Sequence, residues 1–507
     1  MSSPKTITPK GVLDAVVTPP GSKSITNRAL ILSALAHGTT TLTGALTSED
    51  TEVMFDGLTQ LGLSLDWNRK ECRIDVHGQG GHFPHREADI YVGNSGTTAR
   101  FLTAMLAFAD GKYRIHGKPR MHQRPIGDLV EALNTLGGNI TYETEEGFPP
   151  LRLDGRRQTA DGSRRQQNTG GYAASFAAVC RLPSAVFISG SVSSQYLTAL
   201  LLAAPLAARQ SDIESHIEIG ITGELVSKPY IAMTLRMMQS FGIEVETDEH
   251  FRSFRIATNS VIPANSVIPA KAGIQTKDVN PVSLDPRLRG GDEKNDFAPP
   301  PTYHSPGTYV IEPDASAASY FLAAAAICGG SVTVQGLSKN SLQGDVAFAE
   351  CLEQMNCEVT WREDSMTVCR LPDRPLRGIT VDMNGISDTA QTLAVVALFA
   401  EGTTEIRNIE HVRFKETDRI SDLATELRRF GASVEERQDG LRITPPTVLI
   451  PATVQTYDDH RMAMSFAIAG LRLPGVKICD PECTHKTFPE FFDVLESFTL
   501  IRPKSRL

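Results

Sequence analysis

Five short polar strings, each directly before an apolar run, carry the residues of this chain that could do chemistry. They read PPGSKSITNR (19–28), NSGTTAR (94–100), SVSSQY (191–196), RFKETDR (413–419) and DDHRMAM (458–464). The cations in or near these strings are Lys23, Arg28, Arg100, Arg124, Lys415, Arg419, Arg461 and Lys486. A helix start leaves backbone N–H groups unpaired and carries partial positive charge, so cations and small residues there favour an anion. The pattern predicts a ligand with several phosphate or carboxylate groups.

The first string shows how such a site would work. Gly21 and Ser22 let an anion approach the backbone, and Ser24 offers a hydroxyl. Ser24 and Arg28 share one helix face because they are four residues apart. The string is not a P-loop, which requires glycine where this chain has Val16. Each string taken alone could be an ordinary capped helix with surface charges. The occurrence of several such strings in one chain favours a ligand that they share.

Composition places these cations on an acidic background. The chain has 507 residues, of which 41% are hydrophobic and 21% charged, and its formal net charge is −9. Nucleic acid is not an expected partner, because nucleic-acid binders usually carry a basic surplus. Eight cysteines without paired zinc spacing favour reduced thiols. No signal-peptide core begins the chain, and its apolar runs fall short of the ~20 residues of a membrane span. These features predict a soluble, cytoplasmic protein that does not contact a membrane.

The strings belong to a repeat in which a Ser or Asp precedes an Ala-rich stretch. The anchors of this repeat are Ser24, Ser95, Ser194, Asp314, Asp388 and Asp459. Their spacing is 71 to 74 residues except at two long gaps. Two polar, irregular stretches, 158–184 and 259–305, account for the surplus and are predicted to be loop insertions. Six α/β units remain, in two groups of three, with the break near 240–305.

Each unit combines a short strand, an Ala-rich helix and a second helix. In the second unit, for example, the strand Tyr113–His116 follows the helix Ala99–Ala109, and the second helix is Pro125–Leu136. Glycine follows several second helices, as a helix stop should. These stops are Gly62, Gly137, Gly242 and Gly431. Helix starts from two domains could then point into one cleft, where Asp314 and Glu416 would be surrounded by cations and become candidates for proton transfer. A plain N-cap remains the alternative explanation of Asp314.

Taken in order, the strings resemble those of one enzyme family. PGSKS, GNSGT, RPI, GSVSSQY, SKPYI, DASAASYF, KETDR, DHRMAM and KTFP run from about Pro20 to Phe492 and resemble 5-enolpyruvylshikimate-3-phosphate (EPSP) synthase. The resemblance implies an α/β fold of two domains, each with three βαβαββ units, in the inside-out barrel of enolpyruvyl transferases. Residues 1–21 with 242–507 would form one domain, and residues 22–241 the other.

The family's reaction joins phosphoenolpyruvate to the 5-hydroxyl of shikimate 3-phosphate and releases phosphate through a tetrahedral intermediate. It belongs to the shikimate pathway, which leads to chorismate and the aromatic amino acids. The resemblance implies no metal or organic cofactor and no partner beyond these two substrates, and we expect a monomer. Glycine at position 96 predicts sensitivity to glyphosate.

The resemblance also implies a role for individual residues. Asp314 would be the base at the 5-hydroxyl and Glu416 a proton donor, with Lys23 and His460 sharing proton transfer. Shikimate 3-phosphate would be held by Lys23, Ser24, Arg28, Ser193, Ser194, Gln195, Ser227, Asp314 and Lys415. Phosphoenolpyruvate would be held by Lys23, Gly96, Arg124, Gln195, Arg419, Arg461 and Lys486.

The chain departs from the family pattern at two positions. His411 stands where many members carry a substrate-contacting Asn, so we leave it outside the expected site. Phe101 stands where Pro is frequent. Two other functions stay open: UDP-N-acetylglucosamine enolpyruvyl transfer, and non-catalytic anion binding. The first expects a loop Cys where this chain has Pro119, and the second does not need Asp314 and Glu416.

Overall fold

The structure, a computed structural model, describes residues 3–155, 185–210, 216–257, 302–371 and 373–498. The predicted insertion 158–184, and residues 259–301 of the second one, lie outside the described residues. No helix within the described ranges is long and apolar enough to cross a membrane.

The elements up to residue 257 are, in chain order, β1 (Lys5–Thr6), β2 (Leu13–Val17), α1 (Lys23–Leu35), β3 (His37–Thr43), α2 (Glu49–Gln60), β4 (Ser64–Asn68), β5 (Arg73–Gln79), β6 (Glu87–Tyr91), α3 (Gly96–Leu106), β7 (Lys112–His116), α4 (Gly127–Thr135), β8 (Ile140–Tyr142), β9 (Leu151–Asp154), β10 (Ala185–Ser189), α5 (Ser194–Gln210), β11 (His216–Thr222), α6 (Lys228–Ser240), β12 (Glu246–Thr247) and β13 (Ser253–Ala257).

After residue 301 the elements are β14 (Thr308–Val310), α7 (Ala315–Cys328), β15 (Gly330–Gln335), α8 (Phe348–Gln354), β16 (Glu358–Trp361), β17 (Ser365–Arg370), β18 (Leu376–Arg377), β19 (Thr380–Asp382), α9 (Ala390–Ala397), β20 (Ala400–Glu401), β21 (Thr404–Arg407), α10 (Arg419–Arg429), β22 (Ser433–Arg437), β23 (Gly440–Thr444), β24 (Thr453–Val454), α11 (His460–Gly470), β25 (Lys477–Ile478) and α12 (Phe491–Glu496). Short 3-10 turns precede several helices, among them Asn384–Thr389 before α9 and Glu410–Phe414 before α10.

The predicted repeat unit is confirmed by the sheets. In the second unit, β6 pairs parallel with β7, and β9 and β8 add antiparallel to give the order β6-β7-β9-β8. The same pattern gives β10-β11-β13-β12 and β19-β21-β23-β22. A parallel pair needs a helical crossover, whereas an antiparallel pair needs only a short turn. The order βαβαββ follows from these two kinds of connection.

The chain crosses twice between its two halves. Strand β2, at the start of the chain, pairs parallel with β15 of the second half. Strand β14, which follows the first half in sequence, pairs parallel with β3 of that first half. The crossovers lie side by side, since Gly21 forms a bridge with Pro313 and Ser22 N donates to Glu312 O at 2.8 Å. A Cβ at position 21 would overlap the carbonyl oxygen of Gly44, which explains the glycine.

Two hydrophobic cores define two domains, and they correct the predicted boundary at 241. The first core runs from Ile25 to Ile311, and the second comprises residues 7–17 and 315–498. Residues 243–257 and 303–311 therefore belong to the first domain, because β13 completes the sheet of β11 and β14 that of β3. Tyr303 is fully buried in that core, and its hydroxyl donates to Leu202 O at 3.0 Å. The predicted insertion thus ends before residue 302.

Ala-rich helices occupy the centre of each domain, and the sheets surround them. Helix α7 contacts α9 and α11, while α1 and α5 both pack against α3. Every residue of α3 and of α11 is buried, as expected for a helix without a polar face. Helix α3 begins at Gly96 rather than at the predicted Ala99, and α1 begins at Lys23 with Ser22 as its cap, because the polar strings form the first turns of these helices. The predicted glycine stops are confirmed by positive φ angles, such as 98° at Gly137.

Candidate active site

The starts of the central helices meet where the two domains touch. Lys486 Nζ of the second domain donates to Asn94 O of the first at 3.2 Å, and Arg120 Nη2 of the first donates to Lys415 O at 3.2 Å. These contacts close the domains over a cavity. Its walls include Lys23, Ser24, Arg28, Thr97, Arg100, Arg124, Ser193, Ser194, Gln195, Ser227, Tyr230, Asp388, His411 and Lys415. Most of the predicted binding residues are therefore brought together, from distant parts of the chain.

Arg28 on α1 is a buried cation whose described hydrogen-bond partners are all neutral. Its guanidinium donates to Thr234 Oγ1 at 2.9 Å, to Ser24 O at 2.9 Å and to Thr198 Oγ1 at 3.3 Å. Within the described ranges, no carboxylate lies within ion-pair distance of it. Burial lowers the pKa of Arg28 to about 10. An incoming carboxylate or phosphate would relieve this unfavourable desolvation.

The start of α3 holds two more arginines against Gly96. Arg124 Nη1 donates to Asn94 O at 3.0 Å, and Arg100 Nη1 donates to Gln195 Oε1 at 3.1 Å. A Cβ on Gly96 would lie 2.6 Å from Arg124 Nη2 and closer still to Arg100. Burial lowers the pKa of Arg124 to about 10. Glycine is thus required here so that both guanidinium groups can approach the helix start.

Lys23 and the serines complete the first-domain wall. Lys23 Nζ lies 3.3 Å from Asp50 Oδ2. Ser193 precedes α5 and accepts a hydrogen bond from Gln195 N at 3.2 Å, while Ser194 is the first residue of α5 and lies beside it in the wall. Hydroxyls and N–H groups at a helix start suit a phosphate group.

Asp388 is the centre of the second-domain wall. Its Oδ1 lies 2.5 Å from Lys415 Nζ and 3.4 Å from Arg419 Nη1, and its Oδ2 lies 2.8 Å from Arg461 Nη2. Burial alone would raise the pKa of Asp388, but Arg461, Lys415 and Arg419 together hold it well below its ordinary value. The carboxylate is therefore ionised and faces the cavity.

A second ion cluster surrounds Glu416. Its Oε1 lies 2.8 Å from Lys486 Nζ and 4.0 Å from Arg124 Nη1, and its Oε2 lies 2.9 Å from Arg419 Nη2. Burial opposes ionisation, but Lys486, Arg419 and Arg124 hold the pKa of Glu416 well below its usual range. Glu416 thus ties the two domains together as an anion, and in this state it carries no proton to donate.

Asp459 of the DDHRMAM string (458–464) holds Arg419 and Arg461 in position. Asp459 caps α11 by accepting from Arg461 N at 2.8 Å, and it also accepts from Arg419 Nε at 2.7 Å. His460 is buried, and neither ring nitrogen has a hydrogen-bond partner among the described residues. Burial, followed by the charges of Arg461 and Lys486, lowers the pKa of His460 well below its ordinary value, so the ring is neutral.

The comparisons with known proteins agree with this geometry. The family model of EPSP synthase (3-phosphoshikimate 1-carboxyvinyltransferase) matches residues 7–270 and 287–495. The chain belongs to the EPSP synthase family. A 3-phosphoshikimate 1-carboxyvinyltransferase of Cellvibrio japonicus (strain Ueda107) is 45% identical over 478 residues, 94% of either chain. One of Escherichia coli O127:H6 is 43% identical over 491 residues, 97% of either chain. The structure of EPSP synthase from Acinetobacter baumannii has a TM-score of 0.69 at 22% identity and covers 98% of both chains, which supports the fold.

In this EPSP synthase family member, Asp314 contacts the starts of two helices, α7 and α1. Asp314 Oδ1 accepts from Ala317 N at 2.9 Å as the cap of α7, and Oδ2 accepts from Lys23 N at 3.2 Å. Both oxygens thus accept hydrogen bonds from backbone N–H groups. Several predicted site residues are not among those that line the cavity: Gly96, Asp314, Glu416, Arg419, Arg461 and Lys486. The predicted base role of Asp314 stays a prediction, and Asp388 is a second carboxylate, which lines the cavity among cations.

Asp388, Tyr230 and Arg100 line the cavity, but the sequence analysis did not assign a substrate contact to any of them. Asp388 was counted only as a repeat anchor, and Arg100 only as one of the cations. Tyr230 is on α6, and its hydroxyl lies 2.7 Å from Asp345 Oδ2 and 3.3 Å from Asp388 Oδ2, both in the second domain. The one available signal was the SKPY string, whose tyrosine follows Ser227 by three residues, about one helical turn.

Proposed function

We propose that this protein is an EPSP synthase that transfers the enolpyruvyl group of phosphoenolpyruvate to the 5-hydroxyl of shikimate 3-phosphate. The observation that carries the proposal is the cavity itself. Cations from both domains outnumber the carboxylates that pair with them, as two multiply charged anionic substrates require. Five cations line the cavity, Lys23, Arg28, Arg100, Arg124 and Lys415, with one carboxylate among the described lining residues, Asp388. Arg419, Arg461 and Lys486 adjoin it in ion pairs with Asp388, Glu416 and Asp459, and Lys23 pairs with Asp50.

Shikimate 3-phosphate is assigned mainly to the first-domain wall. The starts of α1 and α5 offer hydroxyls and backbone N–H groups, and Arg28 offers a cation that has no carboxylate partner in the part of the chain that the structure describes. The residues assigned to it are Lys23, Ser24, Arg28, Ser193, Ser194, Gln195, Ser227 and Lys415. Phosphoenolpyruvate is assigned to the junction of the domains, where Arg124 faces Arg419 and Lys486 across Glu416. Its residues are Lys23, Gly96, Arg124, Gln195, Arg419, Arg461 and Lys486.

Asp388 is assigned as the base, and Asp314 stays the alternative that the family resemblance implies. Its carboxylate is ionised and faces the cavity, so it can accept the proton of the 5-hydroxyl as that oxygen bonds to the central carbon of phosphoenolpyruvate. Lys415, Arg419 and Arg461 surround it and stabilise the charge that develops.

Glu416 is assigned as the proton donor to the methylene carbon. Alone it is ionised, because Lys486, Arg419 and Arg124 surround it. A phosphoenolpyruvate phosphate among the same cations adds negative charge beside Glu416, which raises its pKa and favours uptake of a proton. The tetrahedral adduct then loses phosphate and a methyl proton, which restores the double bond.

One experiment tests the assignment. We expect inorganic phosphate to be released from phosphoenolpyruvate only when shikimate 3-phosphate is present. Arg124→Ala should abolish most turnover, whereas the matched control Arg69→Ala, which removes an exposed arginine of the same domain, should not. Release with UDP-N-acetylglucosamine in place of shikimate 3-phosphate would contradict the proposal and favour the other enolpyruvyl transfer.

The remaining expectations accompany this proposal. A single chain supplies both walls of the cavity, so a monomer has every residue that the proposed reaction needs. The acidic net charge and the thiols indicated a cytoplasmic enzyme, and that location stays part of the proposal.

A further inference from the structure

Asp345 is a buried carboxyl group behind the wall of the cavity. It lies in the 3-10 turn Gly344–Ala347, between β15 and α8, and only 3% of the residue is exposed. Its Oδ2 accepts from the Tyr230 hydroxyl at 2.7 Å and from Ser316 Oγ at 3.0 Å. Its Oδ1 has no hydrogen-bond partner among the described residues, and no cation of those ranges lies within ion-pair distance of the carboxyl group. An ionised carboxylate without a cation is costly to bury, so this side chain binds a proton readily.

The Tyr230 hydroxyl connects Asp345 to the assigned base. Its oxygen lies 2.7 Å from Asp345 Oδ2 and 3.3 Å from Asp388 Oδ2, so one hydroxyl spans both carboxyl groups. A hydroxyl has one proton to donate and two lone pairs that accept. It donates to the nearer Asp345, and it can accept from Asp388 once that carboxylate has taken up a proton. Burial raises the pKa of Tyr230 well above its ordinary value, so the hydroxyl keeps a proton at rest.

The two carboxyl groups differ in their affinity for a proton. Burial opposes ionisation of Asp388, but Arg461 and its other cationic partners hold its pKa well below the ordinary value. Burial, assisted by the charge of Asp388, raises the pKa of Asp345 to about 6. Of the other groups that act on Asp345, Tyr230 and Arg461 lower its pKa and Asp314 raises it. A proton on Asp388 is therefore more stable on Asp345.

Moving that proton also preserves the ion cluster around Asp388. A protonated Asp388 would leave Lys415 and Arg461, which lie 2.5 Å and 2.8 Å from it, without this anion. Asp345 has no ion pair to lose in the part of the chain that the structure describes. The proton therefore disturbs the buried charges least when it is on Asp345.

We propose that Tyr230 and Asp345 form a proton relay behind the base, in which Asp345 holds the proton of the substrate hydroxyl while the tetrahedral adduct exists. Asp388 takes this proton as the 5-oxygen bonds to the central carbon of phosphoenolpyruvate. The O–H of Asp388 then gives its proton to the oxygen of Tyr230 as the Tyr230 proton passes to Asp345, so the tyrosine is unchanged and Asp388 is again an anion. When phosphate leaves, both transfers run in reverse and the proton departs with the phosphate. The relay rests on the proposed function, with Asp388 as its base.

Two substitutions interrupt the relay at different bonds. Tyr230→Phe removes the hydroxyl and keeps the ring, whereas Asp345→Asn keeps the side-chain shape but cannot take up the proton. We expect each to lower the single-turnover rate of phosphate release about ten- to a hundredfold, less than the loss of the base itself. The double variant should be no slower than the slower single variant, because both remove one path. Asp345→Asn should change the KM for shikimate 3-phosphate by less than about twofold, since Asp345 does not line the cavity.

Two control variants test whether packing alone explains such losses. Tyr303→Phe removes another buried hydroxyl of the first domain, which donates to Leu202 O at 3.0 Å. Ser316→Ala removes the second hydrogen bond of Asp345 and leaves the path through Tyr230 intact. Both proteins should keep the wild-type rate of phosphate release. A Ser316→Ala or Tyr303→Phe protein as slow as Tyr230→Phe would overturn the relay.

Rates in mixtures of H2O and D2O give a readout that packing does not change. If the relay protons move with the proton of the substrate hydroxyl, the wild-type rate falls along a curve as the deuterium fraction rises. Tyr230→Phe and Asp345→Asn should show less curvature, because fewer protons move together. Equal curvature in the three proteins, or an Asp345→Asn protein at the wild-type rate, would refute the relay alone. If the wild type releases no phosphate from the two substrates, the proposed function fails and the relay fails with it.

Discussion

Replacing Asp388 by Asn should separate catalysis from binding. The substitution keeps the shape of the side chain and removes the carboxylate that lines the cavity between Lys415 and Arg461. General acid–base catalysis contributes about 10²- to 10⁴-fold to a rate, so we expect kcat to fall by about that factor. Binding of shikimate 3-phosphate should persist or tighten, because the cavity gains one unit of net positive charge.

The same substitution has a predictable effect on stability. Removing one partner from a buried ion cluster costs about 3–5 kcal/mol when the remaining charges are left uncompensated. Here Arg419 keeps Asp459 and Glu416, whereas Lys415 and Arg461 lose the ion pair described for them. We therefore expect a loss of about 3 kcal/mol, measured by urea unfolding, most of which a bound anion should restore.

The matched control is Asp314→Asn. Asparagine is as good a helix cap as aspartate, so α7 should keep its first turn, and kcat should stay within about tenfold of the wild type. The assay is phosphate release in single turnover, with calorimetric titration of shikimate 3-phosphate into each variant. The assignment of Asp388 as the base would be refuted if the Asp388→Asn protein kept more than a tenth of the wild-type kcat. It would also be refuted if the Asp314→Asn protein were the slower of the two.

Three further predictions follow from individual contacts. Gly96→Ala should raise the KM for phosphoenolpyruvate at least tenfold, because the new Cβ displaces Arg124; an unchanged KM in steady-state assays would contradict this. Burial and Asp388 raise the pKa of Asp345 from 3.8 to about 6. The folded wild type therefore loses stability as pH rises from about 4 to about 6. Asp345→Asn, which removes this acid, should be more stabilising at pH 7.5 than at pH 4.5 by about 2 kcal/mol in urea unfolding. A pH-independent difference between the two proteins would argue against that buried acid. When phosphoenolpyruvate binds together with shikimate 3-phosphate, the protein should take up about one proton per site. Calorimetry in two buffers of different ionisation enthalpy measures this uptake. Glu416→Gln should abolish it.

The six-unit architecture could be predicted because its signal is local and repeated. Each polar helix start is followed by an Ala-rich run, and the glycine stops recur at corresponding places. The exchange of β2 and β14 between the domains could not be predicted. The pairing of β2 with β15 joins residues more than 300 positions apart, and nothing in either strand specifies a partner. The first-domain boundary was missed for the same reason.

The two aspartates show the limit at the site. Asp314 and Asp388 both precede Ala-rich helices, and their sequence contexts look alike. Asp314 is the N-cap itself, so its carboxylate turns back onto Ala317 N. Asp388 lies in the 3-10 turn Asn384–Thr389, one residue farther from its helix, and its carboxylate reaches Arg461 instead. A shift of one residue relative to the cap decides which backbone or side-chain groups the carboxylate contacts, and only the backbone geometry reveals it.

The distribution of charge between the domains explains why closure and binding depend on each other. The second domain compensates its own cations, since Lys415, Arg419 and Arg461 contact Asp388 or Asp459. In the first domain, Arg28 and Arg100 have only neutral partners within the described residues, although both are buried. Bringing the walls together without a ligand therefore costs free energy, which a phosphate and a carboxylate from the substrate offset. The proposed site for phosphoenolpyruvate uses Arg124 from one domain and Lys486 from the other, so on this proposal it is complete only after that closure.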